Sequence, residues 1–269
     1  MNNCGKMECQ DNYICPVCKL PLSPMINGLL CQQCGVIYPV KNGIPDFVVE
    51  DLTKSTSPVL RSVSRFDQLA KIYETPLWYP IIYHLYGGLF IPSVLSEVEI
   101  ITKNVDAQNG LGLDVACGTG LFTRSIAQKM RLVYGIDISM GMLEKATEYA
   151  REKRIRNICF ARSLAERLPF PDDVFDGVTC CGALHAFTDP TEALSEMARV
   201  LKTGARLAVM TFVKRRFFRF KRVNEYSEKV YGVHIFDVDE IDNYLSQTGF
   251  KRFAYTIYGS MILFHAEKA

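Results

Sequence analysis

Residues 111–120 read LGLDVACGTG, an apolar run that leads into an acidic residue and a loop of small residues. The run Leu111–Val115 predicts a buried strand, and the small residues after it let the backbone approach a ligand closely. A dinucleotide-binding loop is the competing interpretation, but such a loop has a third glycine or alanine where this chain has Thr123. The Asp114 carboxylate would repel a pyrophosphate and attract an ammonium group. The loop therefore favours a nucleoside ligand that carries an amino-acid ammonium group.

Strands and helices alternate along the rest of this region. Further strands are predicted at 132–136, 157–161, 174–180 and 206–212, and helices at 120–130, from Ser139 onward, at 190–202 and at 237–248. Such alternation predicts a parallel sheet with helices on both faces. Residues 250–268 hold two β-rich runs with no helix between them, so these runs should pair antiparallel. We predict an α/β fold with a doubly wound, seven-stranded, mostly parallel sheet.

Four stretches between residues 64 and 213 resemble one family of enzymes. They are FDxxAxxYE at 66–74, LDVACGTG at 113–120, YGIDISMGML at 134–143 and ERLPFPDDVFDGVTCCGALHAF at 166–187. Together they are similar to the class I methyltransferases that include the ubiquinone and menaquinone C-methyltransferases. The resemblance implies S-adenosyl-L-methionine (SAM) as the cofactor, which agrees with the ammonium preference of the first loop.

The same resemblance assigns roles around the first two strands. Asp114 and the backbone at Gly118 would bind the methionine end of SAM, and Asp137 would accept hydrogen bonds from the ribose hydroxyls. Tyr73 would close over the bound cofactor. The complete set of cofactor residues that the resemblance implies is Tyr73, Asp114, Ala116, Gly118, Asp137, Ile138, Met142, Leu164, Ala165 and Cys180.

The adenine end departs from the family pattern. Ile138 and Met142 would pack against the ring, and the backbone at Ala165 would donate to it. The family has an aspartate that accepts the adenine amino group at the position of Leu164. Losing one charge-assisted hydrogen bond costs about 1.5–3 kcal/mol. We therefore expect weaker cofactor binding or compensation by Ser163.

The catalytic machinery is expected to be sparse. Methyl transfer from a sulfonium needs alignment and a dry pocket, and needs a base only when the acceptor must lose a proton. His185 is the candidate base because it follows the fourth strand, where the pocket of the family opens toward the methyl group; local packing is the alternative role. Residues 180–182, Cys-Cys-Gly, stand where amine-directed nucleic-acid methyltransferases carry Pro-Pro-Tyr or Pro-Pro-Phe. The Pro-Cys nucleophile of cytosine C-methyltransferases is also absent.

Two segments bear on the methyl acceptor. Residues 76–92, PLWYPIIYHLYGGLFIP, are dense in aromatic side chains, which suits an apolar or aromatic acceptor or an interfacial segment that draws a lipid from a membrane. Residues 214–222 read KRRFFRFKR, while the whole chain has a net charge of only +2. An RNA enzyme needs basic charge over a wide face, whereas anionic lipid rewards a compact cluster. We interpret this segment as a cover for the acceptor pocket or a contact with an anionic membrane.

The N-terminal part predicts a metal site. Cys15-Pro-Val-Cys18 is followed after twelve residues by Cys31-Gln-Gln-Cys34, and two such turns complete a closed four-sulfur shell for a structural Zn²⁺ ion. A pair of redox-active or incidental turns is the alternative. Residues 13–49 resemble the zinc-ribbon proteins that activate methyltransferases of tRNA, rRNA and release factors. The other cysteines show no ligand spacing and are expected to be either buried small apolar residues or free thiols. They are Cys4, Cys9, Cys117, Cys159, Cys180 and Cys181.

We predict a zinc ribbon at 1–50, a linker at 51–60, a helical lid at 61–109 and a SAM-binding methyltransferase domain at 110–269. No apolar run has the roughly 18 residues that span a bilayer, and the first residues lack the apolar core of a signal peptide. A cytoplasmic location is therefore expected, with membrane association through the basic segment.

The predicted function is SAM-dependent methyl transfer to a small, lipophilic or aromatic acceptor. Two alternatives remain. An RNA methyltransferase is supported by the ribbon and by KRRFFRFKR, and a non-catalytic scaffold with this fold is motivated by Leu164. The presence of Asp114, Gly118 and Asp137 argues against the scaffold.

Overall fold

A computed structural model of the protein describes residues 9, 12–55, 57–61, 63, 67–68, 70, 72–75, 93–214 and 233–269. The aromatic stretch 76–92, the basic stretch after Lys214, Phe66 and Cys4 lie outside the described residues. In the parts of the chain that are described, no helix is both long and apolar enough to cross a membrane.

A seven-stranded sheet organises the C-terminal part. Its strands are β5 (Leu111–Val115), β6 (Leu132–Asp137), β7 (Ile158–Arg162), β8 (Phe175–Cys181), β9 (Leu201–Phe212), β10 (Phe250–Tyr258) and β11 (Met261–Lys268). They lie side by side in the order β10-β11-β9-β8-β5-β6-β7. Strands β5 to β9 run parallel, and β11 pairs antiparallel with both β9 and β10. The predicted architecture is therefore confirmed. Strand β9 begins earlier than predicted because Leu201 pairs with Phe175 ahead of an irregularity in the ladder.

Helices cover the sheet. They are α1 (Pro58–Arg61), α2 (Val94–Val105), α3 (Leu121–Ile126), α4 (Met140–Glu152), α5 (Pro190–Val200) and α6 (Val238–Gln247). Short polar side chains begin them as the sequence indicates. Ser139 accepts a hydrogen bond from the Met142 N–H, and Asp189 caps the helix whose first residue is Pro190. Helix α3 ends at Ile126, four residues before the predicted limit of 130.

A small four-stranded sheet forms the N-terminal module, with β1 (Ser23–Met25), β2 (Gly28–Leu30), β3 (Ile37–Lys41) and β4 (Ile44–Pro45). Its aromatic side chains continue into the core of the large sheet. The ring of Tyr13 packs against that of Phe47, tilted by 52° with centroids 5.2 Å apart, and its centroid lies 5.4–5.5 Å from those of Phe170 and Tyr134. One apolar core thus spans the ribbon and the sheet, so the module is packed onto the domain.

One expectation for the cysteines needs correction. Cys9 and Cys159 form a disulfide, with their Cα atoms 5.7 Å apart, so they are not the free thiols that their spacing suggested. A pairing across 150 residues depends on tertiary contact and leaves no local pattern. The expected linker 51–60 contains a turn of 3₁₀ helix at Leu52–Lys54, in which Leu52 is buried, and the start of α1.

Candidate functional site

A cavity of about 160 Å³ opens at the C-terminal ends of β5, β6 and β8. Parallel α/β sheets bind ligands at this edge because the loops that leave the strands diverge there. Eight of the ten predicted cofactor residues line it: Tyr73, Ala116, Gly118, Asp137, Ile138, Met142, Leu164 and Ala165. The structure therefore brings together residues from four separate stretches of the chain.

Asp114 and Cys180 do not line the cavity. Cys180 is fully buried, and the next residue, Cys181, faces the cavity instead because successive side chains of a strand point to opposite faces. Asp114 lies beneath the loop, where its two carboxylate oxygens accept hydrogen bonds of 2.6 and 2.7 Å from Thr123 and Thr179. Burial raises the pKa of Asp114 to about 6, despite these two hydrogen bonds.

Asp137 lies at the centre of the cavity wall. One of its oxygens accepts a 2.8 Å hydrogen bond from the Gly118 N–H, and the other accepts a 2.8 Å hydrogen bond from the Ser139 N–H. Burial raises its pKa, while the amide hydrogen bonds oppose the rise. Each carboxylate oxygen has a further lone pair, so Asp137 can still accept from two vicinal hydroxyls.

The loop itself has an unusual backbone. Ala116 has φ +57° and Gly118 has φ +54°. A side chain at Gly118 would be strained for that reason, and the nearest atom to such a Cβ is a ring carbon of Tyr73 at 3.8 Å. The loop therefore lies directly under Tyr73 and presents backbone atoms toward it. The pKa of Tyr73 is raised to about 12 by burial and by the charge of Asp137, so its hydroxyl stays protonated.

An ion pair joins the segment around Tyr73 to this loop. Glu74 accepts hydrogen bonds of 2.8 and 2.6 Å at its two oxygens from one Arg124 nitrogen, and a further bond of 2.6 Å from the Thr119 hydroxyl. Arg124 is 3% exposed and also donates to the Thr119 carbonyl at 2.6 Å. The sequence motif marked Glu74 as part of a family pattern, but its partner in α3 could not be read from the sequence.

A second contact ties the same segment to helix α4. Asp67 accepts hydrogen bonds from the Ser139 hydroxyl at 2.6 Å and from the Gly141 N–H at 2.9 Å. A Cβ on Gly141 would lie 2.9 Å from the Asp67 Cα, so only glycine permits this approach. The residues before the sheet are therefore fastened to both sides of the cavity.

Leu164, Ala165 and Glu166 line the end of the cavity at which the sequence predicts the adenine ring. The Ser163 hydroxyl donates to the carbonyls of Arg167 and Leu164, at 3.0 and 3.3 Å, and is committed to its own turn. The Glu166 carboxylate accepts from the Thr188 N–H at 3.1 Å, and burial raises its pKa. Sequence reasoning missed Glu166 as a cavity residue; its place in ERLPF was the only signal.

Other cavity residues were also missed. Leu60 comes from the stretch predicted as a linker, and Gly182, Ala183, Ala186 and Phe187 follow β8. These last four lie in the ALHAF part of the family motif, which indicated the region but not which side chains face inward. They make the wall beside the end of β8 apolar.

His185 lies beside the cavity but does not line it. Its Nδ1 atom is 3.3 Å from the Thr211 hydroxyl, and its ring packs edge-on against Phe212 with centroids 5.0 Å apart. Burial lowers its pKa to about 4, so the imidazole is neutral at neutral pH.

The four predicted metal ligands converge in the N-terminal module. One sulfur from each of Cys15, Cys18, Cys31 and Cys34 lies within 4.8 Å of the others. Burial raises the pKa of the Cys15 thiol, but hydrogen bonds from the Cys18 N–H and the Tyr38 hydroxyl outweigh it and lower the pKa to about 7. The pKa of Cys18 is raised to about 12, chiefly by its hydrogen bond with Cys34, and the pKa of Cys34 is also raised. The convergence of the four sulfurs, rather than their titration, is therefore what suggests a metal site.

Comparison with known proteins places this geometry in context. Residues 113–209 match a family model described as a methyltransferase domain. An uncharacterised chloroplastic methyltransferase of Arabidopsis thaliana is 28% identical over 296 aligned residues, which cover 99% of this chain and 81% of that protein. A ubiquinone/menaquinone biosynthesis C-methyltransferase of Pectobacterium carotovorum is 42% identical over 107 residues, covering 38% of this chain and 42% of that protein.

A solved structure agrees with these sequence matches. Phosphoethanolamine N-methyltransferase 2 of Haemonchus contortus, in complex with SAM, superposes with a TM-score of 0.61 at 17% identity. The superposition covers 76% of this chain and 60% of that one. At this level of identity the likeness shows a shared fold.

Proposed function

Because the chain is a class I SAM-dependent methyltransferase, we propose that it transfers the methyl group to a small, lipophilic or aromatic acceptor. The observation that carries the proposal is the wall formed by Gly182, Ala183 and Phe187 at the end of β8. These residues offer no charge and no side-chain hydrogen bond, so they favour an apolar acceptor. An apolar wall also excludes water from the sulfonium, which aids displacement.

We propose that SAM lies along the cavity with its ribose on Asp137 and its adenine between Ile138, Met142 and Leu164. The methionine end then lies over the backbone of Ala116 and Gly118. Asp114 acts from beneath this loop: its negative charge favours the ammonium group through space rather than by direct contact. When bound, SAM supplies the electrophilic methyl group, and the chain's own residues align it and shield it.

Binding and transfer can be tested separately. Calorimetry with SAM should show one site per chain. Incubation with methyl-tritiated SAM and a cell extract should then place the label in the organic-solvent fraction rather than in acid-precipitable RNA. Label in RNA with none in the organic fraction would replace the small-acceptor proposal, whereas absence of SAM binding would contradict the cofactor site itself.

We also propose that residues 1–50 form a ribbon held by one Zn²⁺ ion at Cys15, Cys18, Cys31 and Cys34. The support is the convergence of the four sulfurs within 4.8 Å of one another. A closed four-sulfur shell leaves no open position, so the ion stabilises structure and takes no part in catalysis. Metal analysis should give about one zinc per chain, and Cys15→Ser should abolish it and destabilise the ribbon.

A basic groove favours RNA as a second candidate acceptor. Arg151, Arg154 and Arg156 line a groove of about 350 Å³. The groove continues past Phe160 into a second one whose far wall is the ribbon hairpin at Met25. Phosphates could follow this path between ribbon and domain.

Filter binding at two salt concentrations tests this candidate. An RNA enzyme should lose affinity for structured RNA when the three arginines become Ser and when salt rises, because each phosphate contact releases counterions. Vesicles with and without anionic lipid, run in parallel, test the membrane contact proposed for residues 214–222. Lys202→Ser is a matched control, since it removes one basic charge away from the groove.

A further inference from the structure

The tail of the ribbon attaches to the edge strand of the large sheet. Directly after β4, Asp46 forms a parallel bridge with Arg162, the last residue of β7. The Phe47 N–H then donates to the Arg162 carbonyl at 2.8 Å. The ribbon thus occupies backbone groups that an edge strand would otherwise leave open. It does so next to Asp137, which pairs with Arg162 across β6 and β7.

The Asp46 side chain is enclosed at this junction. It is 5% exposed, and its two oxygens accept hydrogen bonds from Arg162 Nη1 at 3.3 and 3.1 Å. The Val48 N–H also donates to it at 3.1 Å. The ammonium group of Lys41 is more distant, at 3.9 Å, and its side chain is 63% exposed. Arg162 is therefore the principal partner of a carboxylate that burial would otherwise destabilise.

The same guanidinium reaches the cofactor cavity. Arg162 Nε donates a 2.7 Å hydrogen bond to the carbonyl of Ile138. Because a guanidinium is planar and rigid, holding it at one nitrogen fixes the direction of the others. One arginine therefore connects a ribbon carboxylate to the backbone that separates Asp137 from Ser139.

We propose that Asp46 is a positioning residue for the adenosine half of the cofactor, acting through Arg162 on the Ile138 carbonyl. Ile138 and Asp137 both line the cavity, and Ser139 begins helix α4. The Ile138 carbonyl and the Ser139 N–H belong to one planar peptide unit, and that N–H donates to the Asp137 carboxylate at 2.8 Å. Fixing the carbonyl therefore fixes the direction of a hydrogen bond that holds the proposed ribose acceptor. The inference rests on the cofactor pose proposed above, and it gives the ribbon a role in SAM binding beyond stability.

Coupling of this kind is reciprocal. If the ribbon tail improves SAM binding, SAM must stabilise the attachment of the tail by the same factor. Exchange of the Phe47 amide hydrogen, which bonds to Arg162, should therefore slow when SAM binds. A ribbon that only packs on the domain would show no such link.

Two substitutions test the connection at its two ends. Asp46→Asn keeps size and an acceptor for Val48 but removes the charge that orients Arg162. Arg162→Lys keeps a cation near Asp46, but a single ammonium group lacks the rigid, planar set of donors that lets Arg162 bond to Asp46 and to the Ile138 carbonyl at once. Each should raise the Kd for SAM, and for adenosine alone, by about 5- to 10-fold, the lower range of measured couplings between sites. Zinc content and kcat at saturating SAM should stay unchanged.

The matched control is Lys19→Gln. Lys19 also joins the ribbon to the domain, through Glu196 of α5 at 2.9 Å, but it does not lead to the cavity. This variant should change the Kd for SAM less than about 2-fold, within the range expected for a surface ion pair. An effect as large as that of Asp46→Asn would overturn the inference, because any loosening of the ribbon would then suffice.

The double variant decides whether Asp46 acts through Arg162. The chain that carries both Asp46→Asn and Arg162→Lys should have a Kd for SAM no higher than that of the single variant with the higher Kd. If the two substitutions together raised the Kd for SAM by the product of their separate factors, the proposed route through Arg162 would be overturned. A Kd for SAM in Asp46→Asn equal to that of the original chain would also overturn it. If the original chain itself binds no SAM, the proposed cofactor site and this inference both fall. Should Asp46→Asn not fold, Arg162→Lys alone carries the test.

Discussion

Two arginine–carboxylate pairs join segments that precede the large sheet to the cofactor cavity, and they are built in opposite ways. In the first pair the arginine is the more buried partner, with the Arg124 side chain 3% exposed and that of Glu74 15% exposed. In the second pair the carboxylate is more buried, with Asp46 at 5% and Arg162 at 20%. Replacing the acid therefore leaves a buried arginine without its counter-charge in the first pair and a half-buried arginine without it in the second pair.

Because of this difference, we expect the two acids to affect different properties: one the stability of the fold and the other the affinity for SAM. A guanidinium does not lose its proton, so a buried arginine cannot escape the cost of its charge by neutralising. Arg124 therefore depends on Glu74 for folding, and its Nε already has no partner in the described structure. Arg162 can turn toward water when Asp46 is lost. We expect Glu74 to govern the free energy of unfolding and Asp46 to govern mainly the binding of SAM.

The largest effect should come from Glu74→Gln. It removes the charge that compensates Arg124, and breaking a buried ion pair from one side costs about 3–5 kcal/mol. Urea unfolding should show this loss, while Asp46→Asn should cost about 1 kcal/mol, as for one hydrogen bond. Adding Arg124→Met to Glu74→Gln removes the stranded charge and should restore at least half of the stability. Equal losses in the two single variants would show that burial of the arginine does not matter.

A smaller effect is expected at Asp137, whose partners are backbone amides rather than an arginine. Asp137→Ala removes the proposed ribose acceptor and should weaken SAM binding by about 2 kcal/mol, with the fold intact. Calorimetry measures the affinity, and thermal unfolding checks the fold. Thr102→Val serves as the control, because its hydroxyl bonds to the Val98 carbonyl within its own helix, away from the cavity, and should leave the affinity nearly unchanged. Unchanged SAM affinity in Asp137→Ala would contradict the cofactor pose.

Much of the architecture could be predicted from the sequence. Apolar runs of strand length, Ser139 as a helix start and the terminal pair of β-rich runs are local signals, and each leads to the observed element. The loop at residues 116–120 could be placed beside the cavity because it directly follows a buried strand; its role in cofactor binding stays a prediction. Residues in contact only through the tertiary structure were out of reach, as the pairing of Cys9 with Cys159 shows.

The candidate site was predictable to the level of segments rather than side chains. In β8 the prediction named Cys180, but the residue that lines the cavity is its neighbour Cys181. Successive side chains of a strand point to opposite faces, so an error of one residue moves the predicted side chain to the wrong face. Asp114 was expected at the ligand but is turned beneath the loop by two threonine hydroxyls from other elements. The link from Asp46 to Ile138 depends on an arginine that no motif marked.

Asp114 extends the comparison to a buried carboxylate paired only with neutral hydroxyls. Its pKa of about 6 lies above the ordinary value of 3.8, so between these pH values the folded chain holds a proton that the unfolded chain releases. The stability that this group contributes is fully present below about pH 4 and falls as the pH rises to about 6, by about 2–3 kcal/mol. Unfolding of the original chain and of Asp114→Asn across this range should show that difference, and a difference of opposite slope would contradict it.

The smallest effect is expected at His185, the ionisable group near the cavity that is held by packing and one hydroxyl. Its pKa of about 4 makes the ring neutral at pH 7 but a weak base, and its Nδ1 faces Thr211 rather than the cavity. His185→Gln should therefore lower kcat by less than about 5-fold, similar to Thr211→Val, whereas loss of a general base costs about 10²- to 10⁴-fold. Initial rates at saturating SAM between pH 6 and 8 measure this. A loss of 100-fold in His185→Gln alone, with unchanged SAM affinity, would instead establish His185 as the base and would mean that the ring turns toward the acceptor during the reaction.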